Sequence, residues 1–222
     1  MLYWNHNFKD LLQLTESQST ARKQETRNRN RNGSPPTVWA QLERSRPDCA
    51  LFYFQEVSMK KVGIIMGSDS DLPILQKTVD TLKELEIPYE LHIYSAHRTP
   101  AEAAAFAQSA EANGFGVLIA AAGMAAHLAG AIAANTLLPV IGIPCKSSNL
   151  DGIDALLSTV QMPSGIPVAT VAIGGGVNAA LLSAQILSLS EPALAEKLKA
   201  RRAKDAAKVL EKDARIAAEY NN

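Results

Sequence analysis

From residue 59 onward, short apolar runs alternate with segments whose apolar residues recur every three or four positions. This is the pattern of a parallel sheet joined by crossover helices. The runs at 61–66, 89–94, 117–121, 140–143 and 168–173 are read as five strands. Leu75, Val79, Leu82 and Leu85 make one buried stripe on a helix that begins near Leu72, with Pro73 preset for its first turn. Thr99-Pro100-Ala101-Glu102 opens a second helix as a capping box, with threonine at the N-cap, proline after it and glutamate at the third position. Further helices are expected at 125–135, 153–160 and 179–188.

Five such units suit an α/β fold with a doubly wound, flavodoxin-like parallel sheet in three αβα layers. Ligands then sit beyond the carboxyl ends of the strands, where the strand order reverses. The loops after strands one, two and three are therefore expected to carry the chemistry. A long charged helix follows at about 193–218. Its main large apolar residues, Leu194, Leu198, Val209, Leu210 and Ile216, form a thin face that suits packing across a neighbouring subunit.

Residues 1–58 read differently. The polar stretch from Arg22 to Pro36 cannot bury enough apolar surface to offset its ordering entropy, so this extension is expected to be disordered. It reads as a basic tail, a targeting peptide, or translated sequence ahead of a true start at Met59. The last is favoured, because Met59-Lys60-Lys61 leads directly into a strand and Asp10, Glu16 and Glu25 argue against a transit peptide. Residues 59–222 then form the one folded domain.

Composition narrows the function classes. Lysine plus arginine and aspartate plus glutamate both number 22, so no net field draws the chain to nucleic acid or an anionic membrane. The apolar stretch at 117–134 is interrupted by Gly123, His127 and Gly130, which argues against a membrane helix. Cys49 and Cys145 are far apart and lack metal-type spacing, as expected in a reducing, cytoplasmic setting. Small molecules and copies of the chain itself are the expected partners.

The first loop, Gly67-Ser68-Asp69-Ser70-Asp71, offers close backbone approach, hydroxyls for an anion and a carboxylate for sugar hydroxyls, or else simple helix capping by Ser70 or Asp71. It lacks the fingerprints of a P-loop or a dinucleotide site. The second loop, Ser95-Ala96-His97-Arg98, puts an imidazole at the site's mouth, where it can serve as acid and base in turn, beside a guanidinium fork for phosphate. In the third, Ala121-Ala122-Gly123-Met124-Ala125-Ala126-His127, small side chains expose amides at a helix N-terminus as a carboxylate seat. His127 falls one turn inside that helix, either as packing or as a support for the site. Cys145 reads as an ordinary, partly buried thiol, and Gly174-Gly175-Gly176 as a flexible turn.

Taken in order, Gly67-Ser68-Asp69-Ser70-Asp71, Ser95-Ala96-His97-Arg98-Thr99-Pro100, Ala125-Ala126-His127-Leu128, Gln161-Met162-Pro163 with Gly165, and Asn178-Ala179-Ala180-Leu181-Leu182 resemble the 5-(carboxyamino)imidazole ribonucleotide mutase family of purine biosynthesis. The likeness spans about 60–210. It implies a homo-octamer that needs no metal or organic cofactor and moves a carboxylate from nitrogen to ring carbon four of a phosphoribosyl substrate. It also implies that His97 is catalytic, shuttling a proton. Asp71 would meet the ribose hydroxyls, Arg98 the phosphate with Ser70, and Ser68 the substrate. Ser95, Gly123, Met124, Ala125 and His127 complete the expected binding set. Met124 stands where many members carry glycine. Arg98 after the histidine matches the mutase class, whereas the related carboxylases that use free carbon dioxide typically have lysine there.

Overall fold

The computed structural model describes residues 59–147 and 150–221. The expectations for residues 1–58, Cys49 included, lie outside the described residues.

Five strands, β1 (Lys61–Met66), β2 (Tyr89–Ile93), β3 (Phe115–Ala122), β4 (Val140–Pro144) and β5 (Ala169–Thr170), pair in parallel in the order β2-β1-β3-β4-β5. Among the described residues six α-helices accompany them: α1 (Leu72–Glu84), α2 (Pro100–Ser109), α3 (Leu128–Ala133), α4 (Ile153–Val160), α5 (Gly176–Leu187) and α6 (Pro192–Tyr220). This is the expected flavodoxin-like order, and it reverses between β1 and β3.

The alternation of side chains across the sheet builds two cores. Val62, Ile64 and Met66 of β1 join Val117, Ile119 and Ala121 of β3 against α1, α5 and Leu194 of α6. Ile65, Leu118 and Ala120 point the other way, onto Ala103 and Ala107 of α2 and Leu128 and Ile132 of α3. Ile64, Ile65, Leu118 and Ile119 are wholly buried, each side chain worth about 1.5–3 kcal/mol of transfer free energy. Gly142 on β4 lets α4 approach closely, since a Cβ there would lie 2.3 Å from Thr159 Cγ2.

Parallel register levels the strand ends. Met66 is opposite both Ile93 and Ala121, and Ala122 is opposite Pro144. Four loops consequently leave the sheet along one edge at nearly the same height.

Several boundaries differ from the sequence expectation. β5 pairs over only two residues, because its single neighbour β4 ends in a proline with no N–H to extend the ladder. The helix expected at 125–135 shrinks to α3. Only the first part of the triple glycine is a turn: Gly174, with φ +69°, precedes the helix, whereas Gly176 already belongs to α5, where a Cβ would lie 2.5 Å from Ile74 O of α1 and Thr78 Oγ1 donates to Gly176 O at 3.0 Å.

At 29 residues α6 is about 43 Å long. Its first turns are tied down by Leu194, Leu198 and the pairs Lys197–Glu86 and Arg201–Glu84. Lysine 197 holds the Glu86 carboxyl below its ordinary range. Val209, Leu210 and Ile216, expected on a packed face, are exposed along the distal half. A second exposed stripe, Leu150, Ile153, Leu157 and Val160, runs into and along α4.

Candidate active site

The loops after β1, β2, β3 and β4 enclose a cleft of about 550 Å³, within the size range of small-molecule sites. Every residue of the expected set, Ser68, Ser70, Asp71, Ser95, His97, Arg98, Gly123, Met124, Ala125 and His127, lines it. Lys146 and Ser147 line it too, and the sequence reading missed them. Their position directly after the fourth strand was the available signal, since the fold sends that loop to the same edge.

The loop after β1 forms a short 3-10 turn, Asp69–Asp71, capped by Ser68, whose Oγ accepts from the Ser70 amide at 3.3 Å. The expected capping by Ser70 or Asp71 is not seen: Ser68 caps the turn, Asp71 stands at the N-cap of α1 without a side-chain capping bond, and the turn borders the cleft. Asp71 is only 8% exposed. Burial pushes its carboxyl above the usual range, with the Cys145 thiol and the Ser68 backbone opposing the shift. The Cys145 thiol is itself pushed up to about 12, by burial first and then by the Asp71 charge. It is a buried, protonated thiol rather than a nucleophile.

The loop after β2 is organised by its own hydroxyls. Ser95 Oγ accepts from the amides of His97 at 3.3 Å and Arg98 at 3.2 Å. Thr99 occupies the N-cap position of α2 but makes no capping bond. Its hydroxyl turns back, accepting from the Ser95 amide at 2.8 Å and donating to the Ser95 carbonyl at 3.3 Å. The Thr99 amide, which Glu102 would have capped, donates to Ser95 O at 2.9 Å. The expected capping box is therefore replaced by a closed turn, in which the Thr99 hydroxyl satisfies the Ser95 backbone while the Ser95 hydroxyl accepts from the two amides that follow.

From that turn Arg98 Nη2 donates to Gly67 O at 2.7 Å, stitching the second loop to the first. Nη1 of the fork has no protein acceptor among the described residues. His97 Nε2 meets His127 Nδ1 at 2.9 Å, with the rings at 84°. A bond between two ring nitrogens carries one proton, so one facing nitrogen is bare and the two rings cannot both be fully protonated in this arrangement.

His127 is not one turn inside a helix, as the sequence suggested. It is the N-cap of α3, which begins only at Leu128. The residues before it turn through Met124, whose φ of +54° lies in the left-handed region. For a non-glycine residue that conformation costs about 1–2 kcal/mol. The amides of Gly123, Met124 and Ala125 have no protein acceptor among the described residues. They belong to a left-handed turn rather than to a helix end, and amides left without a protein partner are available to an anion.

The fourth loop places Lys146 Nζ 2.8 Å from Asp151, both largely exposed, and Ser147 Oγ 3.1 Å from Asp154 Oδ1. His92 lies outside the cleft, stacked on Tyr94 at 5.3 Å and beside Phe106. Among the described residues no group of three or more histidine, cysteine, aspartate or glutamate side chains could hold a metal ion, and no helix is long and apolar enough to cross a membrane.

The cleft as a whole offers a partly free guanidinium, a buried carboxylate, a histidine pair and a set of open amides around one volume. That inventory suits a phosphorylated, carboxylate-bearing small molecule and a proton transfer.

The chain is similar to N5-carboxyaminoimidazole ribonucleotide mutases. That of Pyrococcus horikoshii is 55% identical over 163 residues, covering 72% of this chain and 92% of the relative. That of Thermotoga maritima is 51% identical over 158 residues, covering 71% and 92%. Among solved structures, Treponema denticola PurE superposes with a TM-score of 0.65 at 34% identity, covering 69% of this chain and 96% of that one. The sequence pattern of the family described as AIR carboxylase matches residues 61–208, and the chain belongs to that family.

Proposed function

We propose that the protein is an isomerase of purine biosynthesis that converts N5-carboxyaminoimidazole ribonucleotide into the 4-carboxylate of aminoimidazole ribonucleotide. Residues 59–222 are its catalytic domain. The observation that carries this reading is the cleft in which His97, the open edge of Arg98 and the amides of 123–125 line one volume. The mutases at 51–56% identity support the same reaction.

In this reading Arg98, with Ser68 and Ser70, holds the phosphate, and the small fourth-loop residue Ser147 leaves room beside it. Asp71 accepts from the ribose hydroxyls. His97 then acts twice. It gives a proton to the exocyclic nitrogen as the N–C bond of the carbamate breaks and carbon dioxide departs. Carbon four attacks that carbon dioxide, the new C–C bond forms, and the proton displaced from carbon four returns to His97. Nothing is oxidised or reduced, and the imidazole ends the cycle as it began. A single imidazole, able both to donate and to accept a proton, suits both halves.

His127 is a positioning residue: its Nδ1 fixes the ring of His97 through the nitrogen it faces. The amides of Gly123, Met124 and Ala125 seat the migrating carboxylate. The reaction needs neither metal nor organic cofactor, the protein works as a homo-octamer in the cytoplasm, and neither nucleic acid nor membrane is a partner.

The test is an assay of the full chain with the carbamate ribonucleotide and, in parallel, with the uncarboxylated ribonucleotide plus bicarbonate. Conversion of the first at the higher kcat/KM is expected. Preference for the second would replace the mutase with a carboxylase that uses free carbon dioxide, and no conversion of either would leave a nucleotide-binding module.

A further inference from the structure

The fourth loop brings a second permanent cation to the cleft. Among the described residues that line it, Arg98 and Lys146 carry the fixed positive charges, and Arg98 is already tied to Gly67 O through one arm. The proposed substrate is anionic at two ends, phosphate and carboxylate. A guanidinium that holds the phosphate leaves the other end to uncharged amides.

Lys146 leaves the sheet beside that other end. Cys145, the residue before it, donates its amide to Ala122 O at 2.8 Å, and a Cβ on Gly123 would lie 3.5 Å from Cys145 O. The third and fourth loops therefore touch where the open amides begin. Ser147, next along, donates its hydroxyl to Asp154, so the movable donor on this stretch is the Lys146 ammonium.

That ammonium has a resting counter-ion. Lys146 Nζ lies 2.8 Å from Asp151, with 69% and 80% of the two side chains exposed. A pair so open to water is screened and exchanges readily. The hydrogen bond between them, and then their opposite charges, hold Asp151 below its ordinary range and Lys146 above. The backbone builds the pairing: Asp151 at φ +51° and Gly152 at φ +94° both turn left-handed, and a Cβ at 152 would lie 3.2 Å from Lys146 Cα. Only glycine lets the chain return this closely upon Lys146. An ammonium has three donors, and Asp151 takes one.

We infer that Lys146 is a specificity-determining residue that pairs with the carboxylate of the ribonucleotide, trading Asp151 for it. This rests on the proposed mutase reaction and adds to it the residue that separates carboxylated ligands from the uncarboxylated one. The uncarboxylated ribonucleotide presents the same phosphate, ribose and ring, so a group facing the carboxylate is what tells them apart. The carboxylate is charged in substrate and product and neutral between them. Lys146 consequently favours the two bound ground states, and its loss should raise KM more than it lowers kcat.

Calorimetric titration of the full chain at low ionic strength compares the 4-carboxylate product with the uncarboxylated ribonucleotide, for the wild type, Lys146→Met, Lys146→Arg and Asp151→Asn. Lys146→Met keeps an apolar stem and removes the charge. It is expected to weaken binding of the product roughly tenfold and of the uncarboxylated ribonucleotide less than about twofold. Lys146→Arg should stay within about threefold of the wild type for both, because the charge is kept. Asp151→Asn releases the ammonium and should tighten product binding about two- to threefold. Added salt should narrow the gap that Lys146→Met opens. Equal weakening of both ligands would put Lys146 on the phosphate, and no weakening of either would leave it a surface lysine. Each of those results overturns the assignment and leaves the mutase reading intact. A wild type that binds neither ribonucleotide would overturn that reading, and the role of Lys146 with it.

Discussion

His97 Nε2 and His127 Nδ1 stand 2.9 Å apart, joined across two loops that follow different strands. The contact gives the proposed proton carrier a fixed neighbour. Replacing His97 with asparagine keeps a polar group of similar size but removes the titrating ring. Turnover should fall by roughly 10²–10⁴-fold while substrate binding stays within a few-fold. Single-turnover kinetics with calorimetric binding checks this, and unaltered chemistry would remove His97 from its role. His127→Phe should lower kcat more than it changes KM and should move the pH profile of kcat, a shift that a merely structural residue would not produce.

Arg98 spends one arm on Gly67 O, and in the proposed function the other holds the phosphate. Lysine cannot do both, since it has a single nitrogen and no fork. Arg98→Lys is expected to weaken kcat/KM by roughly tenfold or more. Adding inorganic phosphate as a competitor should inhibit the variant less than the wild type. Equal inhibition would place the phosphate elsewhere.

Asp71 is held above its ordinary 3.8 chiefly by burial. A carboxyl raised in the folded state favours folding below its unfolded value and loses that contribution as pH climbs through its folded value. Asp71→Asn should therefore raise the thermal midpoint at pH 7, and the gain should shrink as pH falls toward the acid range. The same variant should bind substrate less tightly. A midpoint lowered at pH 7 would show that the charge is net stabilising where it stands.

Cys145, with its thiol pushed up to about 12 and only 1% exposed, should resist iodoacetamide in the native protein at pH 8 and react in denaturant. Peptide mass spectrometry reads this site separately from Cys49. Rapid native alkylation would contradict the buried, protonated state.

Much of this was legible in the sequence because the sheet is buried on both faces. Strands such as 61–66 then read as continuous apolar runs, and α4 begins and ends at the residues its periodicity indicates. Loops announced by a histidine, an arginine or serines after a strand end were readable for the same reason: the topology sends them to one edge. What escaped depends on local hydrogen bonding. Thr99 satisfies either a helix end or Ser95, and its spacing fits both. Residues 125–127 have good helix propensity, yet the left-handed turn at Met124 delays α3 to Leu128. Lys146 carries no motif of its own and gains a place only when the fourth loop is set beside the other three.

The bond from Arg98 to Gly67 has a consequence for how binding energy is used. In the proposed function the phosphate that Arg98 grips is remote from the atoms that react, but the same turn, held by Ser95, carries His97. Affinity gathered at one end of the substrate is thereby converted into alignment at the other. A ligand shorn of its phosphate would meet a histidine left unaligned, and it would lose rate as well as occupancy.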